Sequence, residues 1–378
     1  MRIGIDARFW GPIGKGLGRY TQKLLENIGR LDEENEYFVF LRKENFASFP
    51  DDIPNFHKVL ADFHWYTLEE QIKFPRLLES FKLDLVHFPH FNVPIFYRGK
   101  FVVTIHDLIL LHFPTVRNTT LNPLIYRIKF FFYKKVIKTA LSRSERIITV
   151  SNFTKKDILA EFPEISGEKI IVTYESAENF CFIPSVSKEE ILSRYGIIKP
   201  YLLYVGNAYP HKNLERLLSA FQRIKKNFSD LNLVLVGKRD YFYSRLESFA
   251  RERGIAGVIF TGFVSDEDLD TVFKESLIYV WPSLYEGFGL PPLEAMAKGI
   301  PVLSSDEPCM REILEDGATY FDGRNVADIE KKAMELIRNE ERRREKIEKG
   351  YAQAGKYDWK KMGEETLRVY QEILEKRG

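Results

Sequence analysis

In the stretch SLYEGFGLPPLEAMAKG, Ser283 to Gly299, two glutamates, Glu286 and Glu294, bracket a loop rich in glycine and proline. The preceding LIYVWPS reads as a strand and PPLEAMAKG as a helix, so EGFG is a strand-to-helix loop. Pro291 and Pro292 suit the first helical turn, where a missing N–H costs nothing. Gly299 is a natural C-terminal stop. The loop amides and the positive end of the helix dipole together offer an anion site. Glu294 is expected in the first turn, where a carboxylate suits the dipole; it can also accept hydrogen bonds from sugar hydroxyls, as the acidic residue of dinucleotide folds does. Glu286 precedes the glycines and has no capping role, which makes it the more informative of the two.

Other chemistry-bearing residues sit at similar junctions. In GNAYPHKN, Gly206 to Asn213, Lys212 can meet a phosphate; the plainer reading is a solvent lysine with Asn213 as N-cap. GPIGKGLGRY places glycines at 11, 14, 16 and 18 between a strand and a helix. The literal G-x-G-x-x-G of nicotinamide-binding folds is absent, but glycine there permits close backbone approach to a ligand. TIHDL puts His106 and Asp107 at a strand end, as a cleft residue or as a histidine bonded to backbone. A metal site from His87, His90 and Asp107 is conceivable, yet no zinc-protease or paired-cysteine spacing supports it, and no metal is expected. SDEDLD contains an Asp-x-Asp, better explained by Ser265 as N-cap with acids in the first turn. PLIYRIKFFFYKKVIKTALSRS, Pro123 to Ser144, is basic and aromatic. It reads either as an element lying on an acidic membrane surface or as a helix with one buried aromatic face and snorkelling lysines.

The elements that must position these residues alternate. RIGID, YFVFL, LDLVHF, FVVTIHD, RIITVS and KIIVTY read as strands in the first half; YLLYVGN, LVLVGK, VIFTGF, LIYVWPS and PVLSS do so in the second. Most are apolar on both faces, as parallel strands between helix layers are. Helical stretches such as GRYTQKLLENIGRL and NLERLLSAFQRIKKNF lie between them, which predicts doubly wound α/β sheets. The rhythm breaks at about Glu178–Pro200, the expected inter-domain connection, and the chain after about Asp328 reads as helical.

At 378 residues the chain is long enough for two domains and a sizeable core. Its formal charge of +2 is too balanced to argue for nucleic acid. Two distant cysteines, Cys181 and Cys309, argue for a reducing compartment. The charged N-terminus MRIGIDARFW and the lack of any run near about 18 apolar residues point to a cytoplasmic chain, with membrane-peripheral contact left open.

Taken in order, GLGRY, TIHDL, ITVSNFTKKDI, YVGNAYPHKN, LVLVGK, IFTGFVSDEDL and PSLYEGFGLPPLEAMAKGIPV resemble the retaining glycosyltransferases of family 4, whose signature is Glu-x7-Glu. The closing YDWKKMGEETLRVYQEIL is similar too, so the resemblance spans nearly the whole chain. It implies the GT-B fold, with two Rossmann-like parallel-sheet domains facing across a cleft. Residues 1–178 would form an acceptor-side domain, completed by a C-terminal helix, 362–378, crossing back. Residues 179–361 would bind the donor.

Carried onto this sequence, the resemblance makes Glu294 a ribose ligand and Glu286 a hexose contact. The amides of Gly287, Phe288, Gly289 and Leu290 would hold sugar and phosphate. Lys212 would pair with the diphosphate and stabilise the leaving group. His106 would line the sugar site, and Gly16 and Gly18 would allow close approach. The base would sit near Lys238 and Gly262 to Ser265, with Val264 among them. Many relatives carry an arginine where this chain has Asn207, which can donate a hydrogen bond but no charge. No cofactor is implied beyond the donor, a nucleotide-diphosphate sugar with GDP-mannose favoured and a UDP-hexose next. The acceptor would be a glycan or lipid-linked sugar in cell-surface polysaccharide synthesis, with peripheral contact to the inner membrane surface open. Two rivals remain: a sugar-nucleotide epimerase on the same fold, and a non-catalytic protein that binds sugar nucleotide or membrane.

Overall fold

The computed structural model describes residues 1–11, 15–114, 123–177 and 186–375. Gly14, Cys181 and Pro184 lie outside the described residues. The chain divides into two compact units. The first comprises Met1–Leu108, Leu121–Glu175 and Asp358–Gly378; the second comprises Ile109–Thr120 and Ser176–Tyr357.

The first unit holds a seven-stranded parallel sheet. Its strands are β1 (Arg2–Asp6), β2 (Glu36–Leu41), β3 (Phe56–Leu60), β4 (Leu85–Phe88), β5 (Phe101–Ile105), β6 (Arg146–Thr149) and β7 (Ile170–Val172), in the spatial order β3-β2-β1-β4-β5-β6-β7. Helices α1 (Lys15–Leu31), α2 (Leu68–Ser80), α3 (Pro123–Arg143) and α4 (Asn152–Glu161) alternate with them. The second unit holds β8 (Tyr201–Val205), β9 (Asn232–Val236), β10 (Val258–Gly262), β11 (Ile278–Trp281), β12 (Val302–Ser305) and β13 (Ala318–Phe321). Their order is β10-β9-β8-β11-β12-β13, again all parallel. Its helices are α5 (Lys188–Arg194), α6 (Leu214–Ile224), α7 (Tyr241–Glu252), α8 (Asp266–Lys274), α9 (Leu290–Ala297), α10 (Pro308–Leu314), α11 (Val326–Arg338) and α12 (Glu340–Ala354). A last helix, α13 (Trp359–Glu375), belongs to the first unit.

Local chemistry accounts for these elements. The central strands β5, β8 and β9 are apolar on both faces and buried along nearly their whole length. Helix α6 buries Leu214, Leu217, Leu218, Phe221 and Ile224, the i, i+3, i+4, i+7 stripe of an amphipathic helix. Asp240 caps α7 by accepting from Phe242 N and Tyr243 N at 2.9 and 3.0 Å; Ser265 caps α8 by accepting from Asp268 N at 3.3 Å. Helix α13 packs on α1 at Gly363, where a Cβ would meet Asn27 Cβ at 2.8 Å.

In both sheets the strand order reverses beside the first strand of the unit, between β1 and β4 and between β8 and β11. In open α/β sheets ligands bind beyond the carboxyl ends of the strands at such a reversal. Two strands lie outside the sequence reading, β3 and β13, and both are sheet edges.

Candidate functional site

In the second unit the reversal falls between β8 and β11, paired through Leu202↔Ile278 and Leu203↔Tyr279. The loops leaving these two strands carry Lys212 and Glu286, 74 residues apart in sequence. Lys212 Nζ donates to Glu286 Oε1 at 2.6 Å, and each side chain is only 10% exposed. Lys212 is therefore not the solvent lysine of the plainer reading. Its ammonium also lies 4.7 Å from the centre of the Trp281 ring, which favours the cation electrostatically. Trp281 stacks on Tyr204 at 5.4 Å, so the ring beneath the lysine is fixed by the sheet.

Asn213 sets this geometry. It occupies the N-cap position of α6 but does not cap it, because its backbone is left-handed at φ 63°. Its side-chain amide instead donates to Pro282 O at 3.0 Å and Gly323 O at 2.7 Å, joining the loops after β8, β11 and β13. Leu284 N donates to His211 O at 2.8 Å across the same junction. The single turn Ile109–His112, which belongs to this unit, adds aromatic contacts. The His112 ring lies 4.9 Å from Tyr285, and Phe113 lies 5.9 Å from His211.

The loop after β11 departs from expectation in one respect. Gly289 is left-handed at φ 92°, and α9 begins immediately at Leu290. The prolines fall in the first turn as anticipated, but Glu294 is the fifth helical residue and lies beyond it. The dipole alone thus accounts for Glu294 less well than the sequence suggested. Gly287, Phe288 and Gly289 are buried, and Leu290 and Glu294 are half-buried. Gly289 disfavours a side chain mainly through its left-handed backbone, and a Cβ there would also press on the movable end of Met310 at 2.6 Å. Gly299 ends α9 at φ 75°, against Tyr351.

The remaining donor-side candidates line neighbouring strand ends. Asn207 O accepts from Tyr204 Oη at 2.7 Å, and Asn207 Oδ1 accepts from Tyr209 N at 3.3 Å, leaving its Nδ2 to donate. Gly237 follows β9 so closely that a Cβ would meet Gly206 O at 2.2 Å. Lys238, beside it, is exposed. Val264 is buried after β10. The Asp-x-Asp is structural: Asp268 accepts from Arg194 Nη1 at 2.9 Å and Tyr195 Oη at 2.7 Å, and Asp270 pairs with Lys274 at 2.7 Å and with Lys298.

The first unit is described by itself. His106 Nδ1 faces Glu175 Oε1 at 3.2 Å and its Nε2 faces Pro89 O at 2.9 Å. Both partners accept, so both ring nitrogens donate, which only the imidazolium can do. Burial works against that charge, but the hydrogen bond and charge of Glu175 outweigh it and raise the pKa. The backbone bond of the plainer reading is present, but it is only half of the arrangement. Glu175, after β7, carried no sequence signal of its own.

His87 is wholly buried, between Tyr370 Oη at 2.6 Å and Thr104 Oγ1 at 2.8 Å. Burial lowers its pKa to about 3 and keeps it neutral; with both ring nitrogens engaged by these hydroxyls it ties the sheet to α13 and has no nitrogen left for a metal. Arg8, also fully buried, holds Asp6 through Nε at 2.7 Å and Glu70 through Nη2 at 2.7 Å. Gly16 and Gly18 lie inside the first turns of α1, not in the preceding loop. Gly18 is required by the fold itself, because a Cβ there would sit 2.0 Å from Gly11 O. Gly16 is exposed, with open space at its Cβ position.

Two family models match the chain: Glycosyltransferase Family 4 over residues 14–175 and Glycosyl transferases group 1 over residues 187–353. The O-antigen chain mannosyltransferase B of Escherichia coli is 28% identical, over 94% of this chain and 95% of its own. The O-antigen chain mannosyltransferase RfbU of Salmonella typhimurium is 29% identical, over 93% and 94%. Among solved structures, Anabaena HepE in complex with UDP-glucose superposes with a TM-score of 0.75 over 98% of this chain and all of its own, at 14% identity. That likeness establishes the GT-B fold class for the two parallel-sheet units. With both of its halves matched by these models, the chain belongs to the glycosyltransferases of the family 4 type.

Proposed function

We propose that this glycosyltransferase moves a hexose, with mannose favoured, from a nucleotide-diphosphate sugar to a glycan or lipid-linked acceptor, retaining the anomeric configuration, in cell-surface polysaccharide synthesis. The observation that carries the reading is the Lys212–Glu286 pair at the strand-order reversal of the second unit. An ammonium has three donors, and Glu286 takes one. The others serve a diphosphate, whose departure places negative charge on the β-phosphate as the glycosidic bond breaks. Glu286, orientated by the lysine, is left to accept from hexose hydroxyls. Glu294 serves the ribose, and the run Gly287–Leu290 into α9 serves the diphosphate. Gly262–Ser265 and Lys238 receive the base, with Asn207 donating one neutral hydrogen bond.

In this reading His106 acts as a fixed cation, because both of its nitrogens already donate. The preference for mannose draws support from the relatives named as O-antigen mannosyltransferases. GDP-mannose is accordingly the favoured donor, and a UDP-hexose is second because HepE was solved with UDP-glucose. An acceptor built on lipid would bring the chain to a membrane surface, with α3 as the element that meets it.

The test is a melting-temperature screen with GDP and UDP, followed by sugar release and transfer from GDP-mannose and UDP-glucose. Stabilisation by GDP alone, with transfer lost in Lys212→Ala and Glu286→Ala, supports the proposal. No response to either nucleotide, or near wild-type transfer by both variants, overturns it.

A further inference from the structure

The first unit has a strand-order reversal of its own, between β1 and β4. Loops leaving β1, β3 and β4 converge there as an aromatic cluster. Phe9 stacks on Trp65 at 4.4 Å and meets His90 edge-on at 5.2 Å. Phe91 lies 4.1 Å from His90 and stacks with Tyr66 at 6.2 Å. Tyr66 stands apart within this cluster. It is 57% exposed, and its backbone is left-handed at φ 62°. That conformation is uncommon for a tyrosine, and such strain persists only where the surroundings enforce it.

A buried ion network enforces it. Tyr66 N donates to Glu70 Oε2 at 2.7 Å. Glu70 Oε1 accepts from Arg8 Nη2 and from Asn92 Nδ2, each at 2.7 Å, and Arg8 also holds Asp6. Arg8 and Glu70 are fully buried. Such a network is a poor source of stability, because desolvation offsets much of the charge attraction. What it sets at the surface is the position of Tyr66, on the loop between β3 and α2. The Tyr66 hydroxyl in turn meets His90 Nε2 at 3.0 Å.

The chemistry of the cluster selects its ligand. An exposed aromatic ring offers a flat apolar face to the C–H face of a sugar ring. Burial holds His90 neutral, with its pKa lowered to about 3. Among the described residues His90 Nδ1 has no hydrogen-bond partner, so the Tyr66–His90 pair keeps one donor and one acceptor in either tautomer. A sugar hydroxyl uses both. A phosphate would need an available cation, and the two beside the cluster are engaged. Arg8 is held by two carboxylates, and Arg42, over the Trp65 ring, is paired with Glu44 at 3.1 Å.

We infer that Tyr66 is the platform on which an uncharged hexose ring of the acceptor stacks, with the Tyr66–His90 pair reading one of its hydroxyls. The inference rests on the transferase reading above and adds to it the residues that recognise the acceptor.

The experiment measures transfer by the full chain from GDP-mannose and UDP-glucose to a panel of p-nitrophenyl α- and β-hexosides, for the wild type, Tyr66→Phe and Tyr66→Gly. Glycine accepts the left-handed backbone, so Tyr66→Gly should melt at or above the wild-type temperature. Its acceptor KM should rise about tenfold or more as the stacking face is lost. Tyr66→Phe keeps the ring and loses the hydroxyl, for a rise of about threefold. The donor KM should stay at its wild-type value in both. Transfer with an unchanged acceptor KM in Tyr66→Gly overturns the inference and leaves the transferase reading standing. So does a donor KM that rises as much as the acceptor KM, which marks a general loss of structure. A wild type that releases sugar from a nucleotide sugar but transfers it to none of the hexosides also overturns the inference alone. No release from either nucleotide sugar overturns the transferase reading, and the inference with it.

Discussion

The Lys212–Glu286 pair makes a prediction in which stability and ligand binding separate. Removing one partner of a buried ion pair strands the other charge, at a cost of about 3–5 kcal/mol when burial is complete. Here each side chain keeps a tenth of its exposure, so about 2–4 kcal/mol is expected for Lys212→Met or Glu286→Gln. In a unit of this size 1 kcal/mol shifts Tm by roughly 2–4 °C, so either single variant should melt about 4–16 °C lower. The double variant carries no stranded charge and a Met side chain still covers Trp281. It should recover most of the loss, for a coupling of about 1.5–3 kcal/mol in a double-mutant cycle. Nucleotide binding should not recover with it. Loss of a charge-assisted hydrogen bond of about 1.5–3 kcal/mol weakens Kd roughly 10- to 150-fold. The assay is differential scanning fluorimetry of the four proteins, each titrated with GDP and UDP. Additive Tm changes would refute the pairing. A double variant that binds nucleotide as well as the wild type would refute the role assigned to Lys212.

Three further predictions follow from other parts of the chain. Asn213→Gly keeps the left-handed backbone but removes the bonds to Pro282 O and Gly323 O, and should cost about 2 kcal/mol in urea unfolding; a neutral result would show that the three loops hold without it. Gly16→Ala fills open space on a helix and should stabilise by about 0.5–1 kcal/mol, whereas Gly18→Ala, facing Gly11 O, should destabilise sharply; transfer lost in a stabilised Gly16→Ala would place a ligand at that glycine. His87 has its pKa lowered by burial to about 3, against about 6.5 when unfolded, so its contribution is whole above pH 6.5 and is lost as pH falls toward 3. His87→Gln should flatten the acid limb of unfolding free energy by up to about 1.4 kcal/mol per pH unit; identical limbs in both proteins would refute the assignment. His106 has the opposite sign: its raised pKa contributes below pH 6.5 and fades as pH rises through the folded value.

Sequence patterning reached the elements that are buried on both faces. FVVTI and YLLYV are nearly continuous apolar runs because both of their faces are buried, and YFVFL in β2 and LVLV in β9 show the same pattern. FHKVL failed the same test because β3 is a sheet edge with one buried residue. ATYF, also an edge, is only four residues long. At the candidate site, the motif drew attention to Lys212 and Glu286, but their contact depends on which strands are neighbours, and a linear string does not encode that. Trp281 was visible only as the end of a strand, and Glu175 as a carboxylate among many. The place of Asn213 before a helix reads as a cap. Its left-handed backbone turned the side chain to two loop carbonyls instead, and only tertiary geometry reveals that.

The tie between His87 and Tyr370 has a consequence for synthesis. Tyr370 lies on α13, which leaves the ribosome only after every residue of the second unit. At about 5–20 residues per second, roughly 10–40 s separate the emergence of Glu175 from that of α13. During that interval the nascent first unit has a buried imidazole lacking one partner and an uncovered apolar face on α1. The unit begun first is therefore completed last. A chain stalled or cleaved just before Asp358 should keep a sound second unit while exposing a sticky first one to chaperones and proteases.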